Sequence, residues 1–381
     1  MAVFHQIGND SANMLFEPEL TELRGAILSP VNYAATETQA LVNKTRKVLK
    51  DFTIWFDPQL YVPDSTRGVL RTWSYFPSDF DTADLSQRTW WSKINDGVVR
   101  ECREFVPGAV CSPAPLPKLY SNDFYNLCVM IANDLAPKAA KAGMSIVQTL
   151  IVAGRDLVAE NRPLEIASIA SRTSAEWIYL LIYDETPPRR ELSDSLEIEA
   201  ILRLIAALKA ADLKVLVGYS SSDMVLWKAA GADCVASGKF FNLRRFNRSR
   251  FEQPAEGGGQ LPYWFEESLM AFVREADLKR LERDNLLGDA SLRNPVGKKI
   301  LEQHRTEPGK PWIGLSWRQY LWWLADCEGR LQPGIDGTDG LLAAAEENWP
   351  ALQPKKILME ERENTGAWLR PWRAALQGYT R

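Results

Sequence analysis

The chain has 381 residues, 46 % of them hydrophobic and 25 % charged, with a formal net charge of −4. That length fits one large domain with an accessory region, and the composition is that of an ordinary globular protein. The charge excludes a bulk polyanion binder, so any contact with nucleic acid needs a local basic patch.

Taken in order, short apolar runs alternate with helical patterns. "GAILSP" (25–30) predicts a strand, and the helix after it carries Thr36 and Gln39 at the spacing of a capping box. "FTIWFDPQLY" (52–61) is the next strand, ending in Asp57, Gln59 and Tyr61. Residues 64–125 are rich in Trp, Tyr, Pro and Asp and read as an insertion on the catalytic side, holding one strand near Ala109–Cys111. Further strands are predicted at 144–150, 178–184, 214–218 and 233–237. Between them, Ile198, Ile201, Leu202, Ile205 and Leu208 share one helical face that can lie on a sheet.

Continuous rather than alternating apolar runs indicate strands covered on both faces. Six or more strand–helix units over about 240 residues predict a (β/α)8 barrel. The expected organisation is a barrel over 1–251 and a helical accessory region over 252–381. The latter opens with a loop, "EQPAEGGGQLP", followed by an amphipathic helix over 263–287 and a tryptophan-rich one, "WRQYLWWLADCEGRL". Those tryptophans are expected to pack a core; a base-stacking or partner surface is the alternative.

The five cysteines (Cys102, Cys111, Cys128, Cys234, Cys327) show no CxxC or CxC spacing, which points to a reducing compartment. Two histidines, His5 and His304, are too few for a histidine-built metal site, and no GxGxxG follows a strand, so neither a metal nor a dinucleotide cofactor is expected. No signal peptide and no apolar run of about 18 residues is present, so the expectation is a cytoplasmic protein without a membrane partner.

Functional residues of a parallel barrel gather where its strands end. The polar residues so placed include Asp57, Gln148, Asp184, Tyr219 and Gly238, with Asp233 at the start of the last predicted strand. Lys239, Arg244, Arg245, Arg248 and Arg250 then crowd one short segment of an acidic protein. They read as a phosphate-gripping hook, or as charges paired with local acids such as Glu252.

The order of these features resembles the tRNA-guanine transglycosylase superfamily, over about residues 25–250. "FDPQLY" stands where that family has an Asp-Ser-Gly-Gly motif. "SIVQTLIVAGRDL" is similar to its Gly-Ile-Val-Gln-Gly strand, and "IYLLIYDE" and "VLVGYSSSD" resemble the next two. "ADCV" resembles the Phe-Asp-Cys-Val of its nucleophile strand. Pro58 and Gln59 replace family glycines, those flanking Gln148 are missing, and the family's three-cysteine, one-histidine zinc site is absent. The zinc-less members that act on DNA are thus the closer analogy.

The resemblance implies base exchange in nucleic acid, DNA rather than tRNA. Asp233 would be the nucleophile and Asp57 the acid/base. Gln148, Asp184, Tyr219 and Gly238 would hold the base, and the basic segment the flanking phosphates. Trp73, Tyr75, Trp90 and Trp91 would stack on neighbouring bases. Two other readings stand beside it: a non-catalytic barrel within a nucleic-acid-binding or defence complex, and a barrel enzyme whose Gly238 and Lys239 grip a small phosphorylated metabolite.

Overall fold

In the computed structural model, which describes residues 2–253, 261–332 and 334–379, eight parallel strands close on themselves in sequence order. They are β1 (Ala2–Gln6), β2 (Leu23–Leu28), β3 (Thr53–Phe56), β4 (Ala109–Cys111), β5 (Ser145–Ala153), β6 (Trp177–Tyr183), β7 (Lys214–Gly218) and β8 (Cys234–Ser237). Every strand predicted from an apolar run belongs to this one barrel. β1 is the strand that the runs do not reveal, because His5 and Gln6 interrupt its apolar pattern.

Side chains that meet across the lumen identify the inward face. Trp55 of β3 packs against Phe4 of β1 and Trp177 of β6, each at 5.3 Å between ring centroids, although none of these strands are neighbours. Higher up, the Tyr179 hydroxyl of β6 donates to Gln6 Oε1 of β1 at 3.0 Å. Strand register then fixes the rest: Cys111 pairs with Val147 and Val147 with Trp177, while Thr149 pairs with Tyr179. All of these face inward, and the residues between them face the helices.

The helix Ser195–Ala210 buries Ile198, Ile201, Leu202, Ile205 and Leu208, as its period requires. The helix Ala35–Val48 does not use Thr36 and Gln39 as a cap; Glu37 accepts the Ala34 N–H at 2.9 Å instead. The segment read as an insertion over 64–125 contains regular barrel parts, the helix Arg88–Cys102 and β4. Its aromatic residues are mostly core: Trp73, Tyr75 and Trp91 are buried, which removes them as stacking platforms for bases.

Beyond the barrel, the helix expected over 263–287 forms only from Glu275 to Arg283. Its first half is an antiparallel hairpin, β9 (Trp264–Glu266) with β10 (Ala271–Val273), turning through left-handed Met270. Tertiary contacts override the helical pattern there. Phe265 and Phe272 pack on each other and on Tyr320 of the helix Ile313–Arg330, and Gln319 of that helix exchanges two hydrogen bonds with the Phe265 backbone, at 3.0 and 2.8 Å. Trp317 and Trp323 of the same helix are buried, in keeping with the core reading of the tryptophans. The loop "EQPAEGGGQLP" falls largely on 254–260, outside the described residues. No described helix is long and apolar enough to cross a membrane.

Gly218 ends β7 where Tyr179 crosses the lumen; a Cβ there would lie 2.3 Å from that ring. Gly218→Ala is expected to cost roughly 1–3 kcal/mol through overpacking, read as a lowered urea midpoint at unchanged slope.

Candidate functional site

At the C-terminal end of β3 the chain turns inward and buries Asp57, which is 1 % exposed. Its Oδ1 accepts the Gln59 N–H at 2.9 Å, and both carboxyl oxygens lie 2.9 Å from the Tyr61 hydroxyl. Burial pushes the Asp57 carboxyl up to about 7, against the opposing pull of the Gln59 N–H, the Tyr61 hydroxyl and the Arg250 cation. Gln59 takes a left-handed backbone, from which its Oε1 accepts the Val31 N–H at 3.0 Å and its Nε2 donates to the Tyr219 hydroxyl at 3.3 Å. The loops after β2, β3 and β7 are thereby joined around the carboxyl.

Residues 239–252, which follow β8, cross this mouth as a strap. Gly238 allows the chain to fold back, since a Cβ there would sit 2.4 Å from Leu243 and 2.7 Å from the Gln6 carbonyl oxygen. Phe246 packs on Tyr61 and Tyr219, at 4.9 and 5.3 Å, and its carbonyl accepts the Asp184 N–H from the end of β6. Phe251 packs on Tyr61 at 5.1 Å and on Phe246 at 6.2 Å.

Three buried arginines hold the strap. Arg250 donates to Ser29 Oγ at 3.3 Å and lies over the Tyr219 ring. Arg245 pairs with Asp223 at 3.5 Å and donates to the Arg190 carbonyl. Arg244 pairs with Glu191 at 3.5 Å, donates to the Ser221 hydroxyl and stacks over Phe272 at 3.8 Å. Burial raises the Asp223 carboxyl to about 6; Arg245 pulls it down and Glu191 adds to the rise.

The basic segment is therefore not a surface hook, because Arg244, Arg245 and Arg250 are committed inside the protein. Arg248 is exposed and pairs with Glu252 at 2.8 Å, while Lys239 donates to the Asp10 carbonyl. Arg248 thus pairs with a local acid, as the alternative reading expected, while the bond Lys239 makes is to a backbone carbonyl.

The expected pair of catalytic aspartates is not brought together. Asp233 precedes β8 at the N-terminal end of the barrel, where Lys209 holds its two oxygens at 2.8 and 2.7 Å and the Val215 N–H donates to Oδ2. Asp57 lies past the opposite end of its strand, so one nucleotide cannot reach both. Gln148 also leaves the site. It pairs in register with Ile178, between the inward pairs, and points beneath the helical layer with both amide atoms unpartnered. Asp184 reaches the mouth's rim, where its Oδ1 caps the Thr186 N–H, and Tyr219 lies in the mouth itself. Gly238 is packed against Leu243, which leaves no cradle for a phosphate between it and Lys239.

What sequence reasoning missed is Gln6, on the unrecognised β1, whose Nε2 is buried without a partner, as is Arg250 Nε. Neither histidine is at the mouth: His5 bonds Ser11 outside the lumen and burial lowers it to about 4, and His304 packs on Trp312. Among the described residues, no group of three or more His, Cys, Asp or Glu side chains is arranged to hold a metal.

No family model matches the chain, and no curated protein does. Among solved structures it is similar to a type I 3-dehydroquinate dehydratase from Clostridium difficile, at 9% identity and a TM-score of 0.36 over 66% of this chain and 88% of that one. A GH18 chitinase from Pseudoalteromonas aurantia aligns at 9% identity and 0.39, over 64% and 95%. A family 2 AP endonuclease from Brucella melitensis aligns at 12% and 0.37, over 62% and 92%. Likenesses at this level concern the barrel alone.

The placement of the arginines separates two variants. Arg245→Gln strands a buried Asp223 and should destabilise the protein by about 3–5 kcal/mol, whereas exposed Arg248→Gln should change stability by no more than about 0.5 kcal/mol. Chemical denaturation of both at pH 7.5 measures the contrast; similar losses would return the segment to the surface.

Proposed function

We propose that the protein is a barrel enzyme that moves a proton on a small molecule at the C-terminal mouth, with Asp57 as the acid/base. One observation carries this reading: a carboxyl at the end of a barrel strand, sealed from water, hydrogen-bonded by Tyr61 and raised to about 7. A group titrating there is divided between acid and base at neutral pH, which is what proton transfer in either direction needs. Tyr61 stays protonated, since burial and Asp57 hold its hydroxyl well above the usual range, and it orients the carboxyl. Arg250 and the Gln6 amide supply buried donors for a substrate oxygen.

The substrate is small because the mouth is roofed by Phe246 and Phe251, and the strap must lift to admit it. A polynucleotide reading has lost its nucleophile and most of its basic contacts. The non-catalytic scaffold remains the second reading, favoured by that same aromatic roof.

Incubating the protein with a cell extract and profiling metabolites by mass spectrometry distinguishes the two. The wild type should deplete at least one small metabolite that Asp57→Asn leaves untouched; identical profiles would sink the enzyme reading. The strap has its own test. Cys111 faces the lumen beside Asp57 and is fully buried. Arg244→Ala should raise its labelling rate by a small thiol reagent at least about tenfold, the effect of roughly 1.4 kcal/mol on opening. Unchanged labelling would mean that Arg244 does not hold the roof.

Asp57 also shapes stability. Its folded pKa lies above its unfolded one, so its contribution is greatest below pH 4 and is lost as pH rises to about 7. Relative to wild type, Asp57→Asn should therefore gain up to roughly 4 kcal/mol between pH 4 and pH 8, measured by urea unfolding at both pH values. A constant difference would place the carboxyl in water.

A further inference from the structure

Outside the mouth, a groove of about 750 Å³ runs between the loop after β6, the start of the strap, the β9–β10 hairpin and the segment 361–368. This volume is typical of sites for small molecules. Its apolar wall is formed by Phe241 and Phe272. At its edge the indole of Trp368 is 9 % exposed, with an Nε1–H that has no partner. That N–H is sealed from the groove, and the indole packs edge-on against Trp349, so Trp368 belongs to the wall.

The charges lining the groove give the sign of a ligand that would fit it. Each of its three glutamates is already neutralised: Glu191 by Arg244, Glu363 by Arg190, and Glu361 by Arg274. Two lining arginines, Arg189 and Arg362, have no carboxylate partner among the described residues. Arg189 is held in place over the Phe241 and Tyr263 rings, at 5.8 Å from each centroid. The groove thus has an apolar wall and two uncommitted cations.

We infer that this groove binds a small organic anion, an apolar or aromatic body bearing one phosphate or carboxylate, with the anionic end on Arg189 and Arg362 and the body against Phe241 and Phe272. It is separate from the mouth of the barrel and does not depend on Asp57. Its chemistry follows from the groups present: guanidiniums offer hydrogen bonds only to acceptors, and the phenylalanines favour a body that leaves water.

The test uses the full chain with its tryptophans labelled with ¹⁵N at the indole. Trp368→Phe identifies the Trp368 signal among the 14 tryptophans. Titration with phenyl phosphate should move that signal saturably, and Arg189→Gln with Arg362→Gln should weaken binding by at least roughly tenfold. Both arginines are exposed, so the double variant should fold. A signal that stays still at millimolar phenyl phosphate, or moves equally in the double variant, would overturn the site. Inorganic phosphate is the second probe. If it bound as tightly as phenyl phosphate, the apolar body would contribute nothing and the stated ligand class would be wrong.

Discussion

A carboxyl sealed from water at the open end of a barrel is the constraint around which the C-terminal face is arranged. Ionised Asp57 would lose most of its solvation there, so it must either keep a proton or gain donors and a cation. The fold supplies both answers. Tyr61 and the Gln59 backbone donate to the carboxyl, Arg250 lies close enough to draw its pKa down, and burial still leaves it near neutrality. The left-handed turns at Gln59 and Tyr219 are the backbone conformations that bring these groups into one cluster.

The strap keeps this cluster dry, and its own attachment is electrostatic. Arg244, Arg245 and Arg250 reach loops that follow β2, β6 and β7, so one short segment ties several strand ends together. Buried ion pairs are weak sources of net stability, because desolvation offsets much of their attraction. What they supply here is position: the three guanidiniums reach acceptors on different loops and so fix where the strap crosses the mouth. Stacking of Arg244 on Phe272 and Tyr320 also engages the C-terminal region, which gives that region a part in the roof.

Much of the barrel was legible because buried parallel strands are written as continuous apolar runs, and "MSIVQTLIVAG" and "EWIYLLIYDE" state this directly. β1 was not, since a strand with polar residues on both faces has no such signature: His5 faces outward to Ser11, and Gln6 inward to Tyr179. Asp57 was legible as a strand-end acid. The role expected of Gln148 failed on parity alone, for a strand shows a lumen only every second residue and apolar runs conceal which. Asp233 failed on direction, as an acid before a strand lies at the end of the barrel opposite an acid after one. The arginines failed for a further reason. Their partners Glu191, Asp223 and Ser29 are distant in sequence, so local charge density looked like a surface. The hairpin at 264–273 was hidden because Gln319, far along the chain, supplies its edge hydrogen bonds.

The protonation of Asp57 can be observed without knowing any substrate. Carbon-13 labelling of the aspartate carboxyls, with Asp57→Asn to identify the signal, allows its titration to be followed by NMR. The expected midpoint is near 7, moving further up when Arg250→Gln removes the cation. A midpoint near 4, the ordinary value for an aspartate in water, would contradict it.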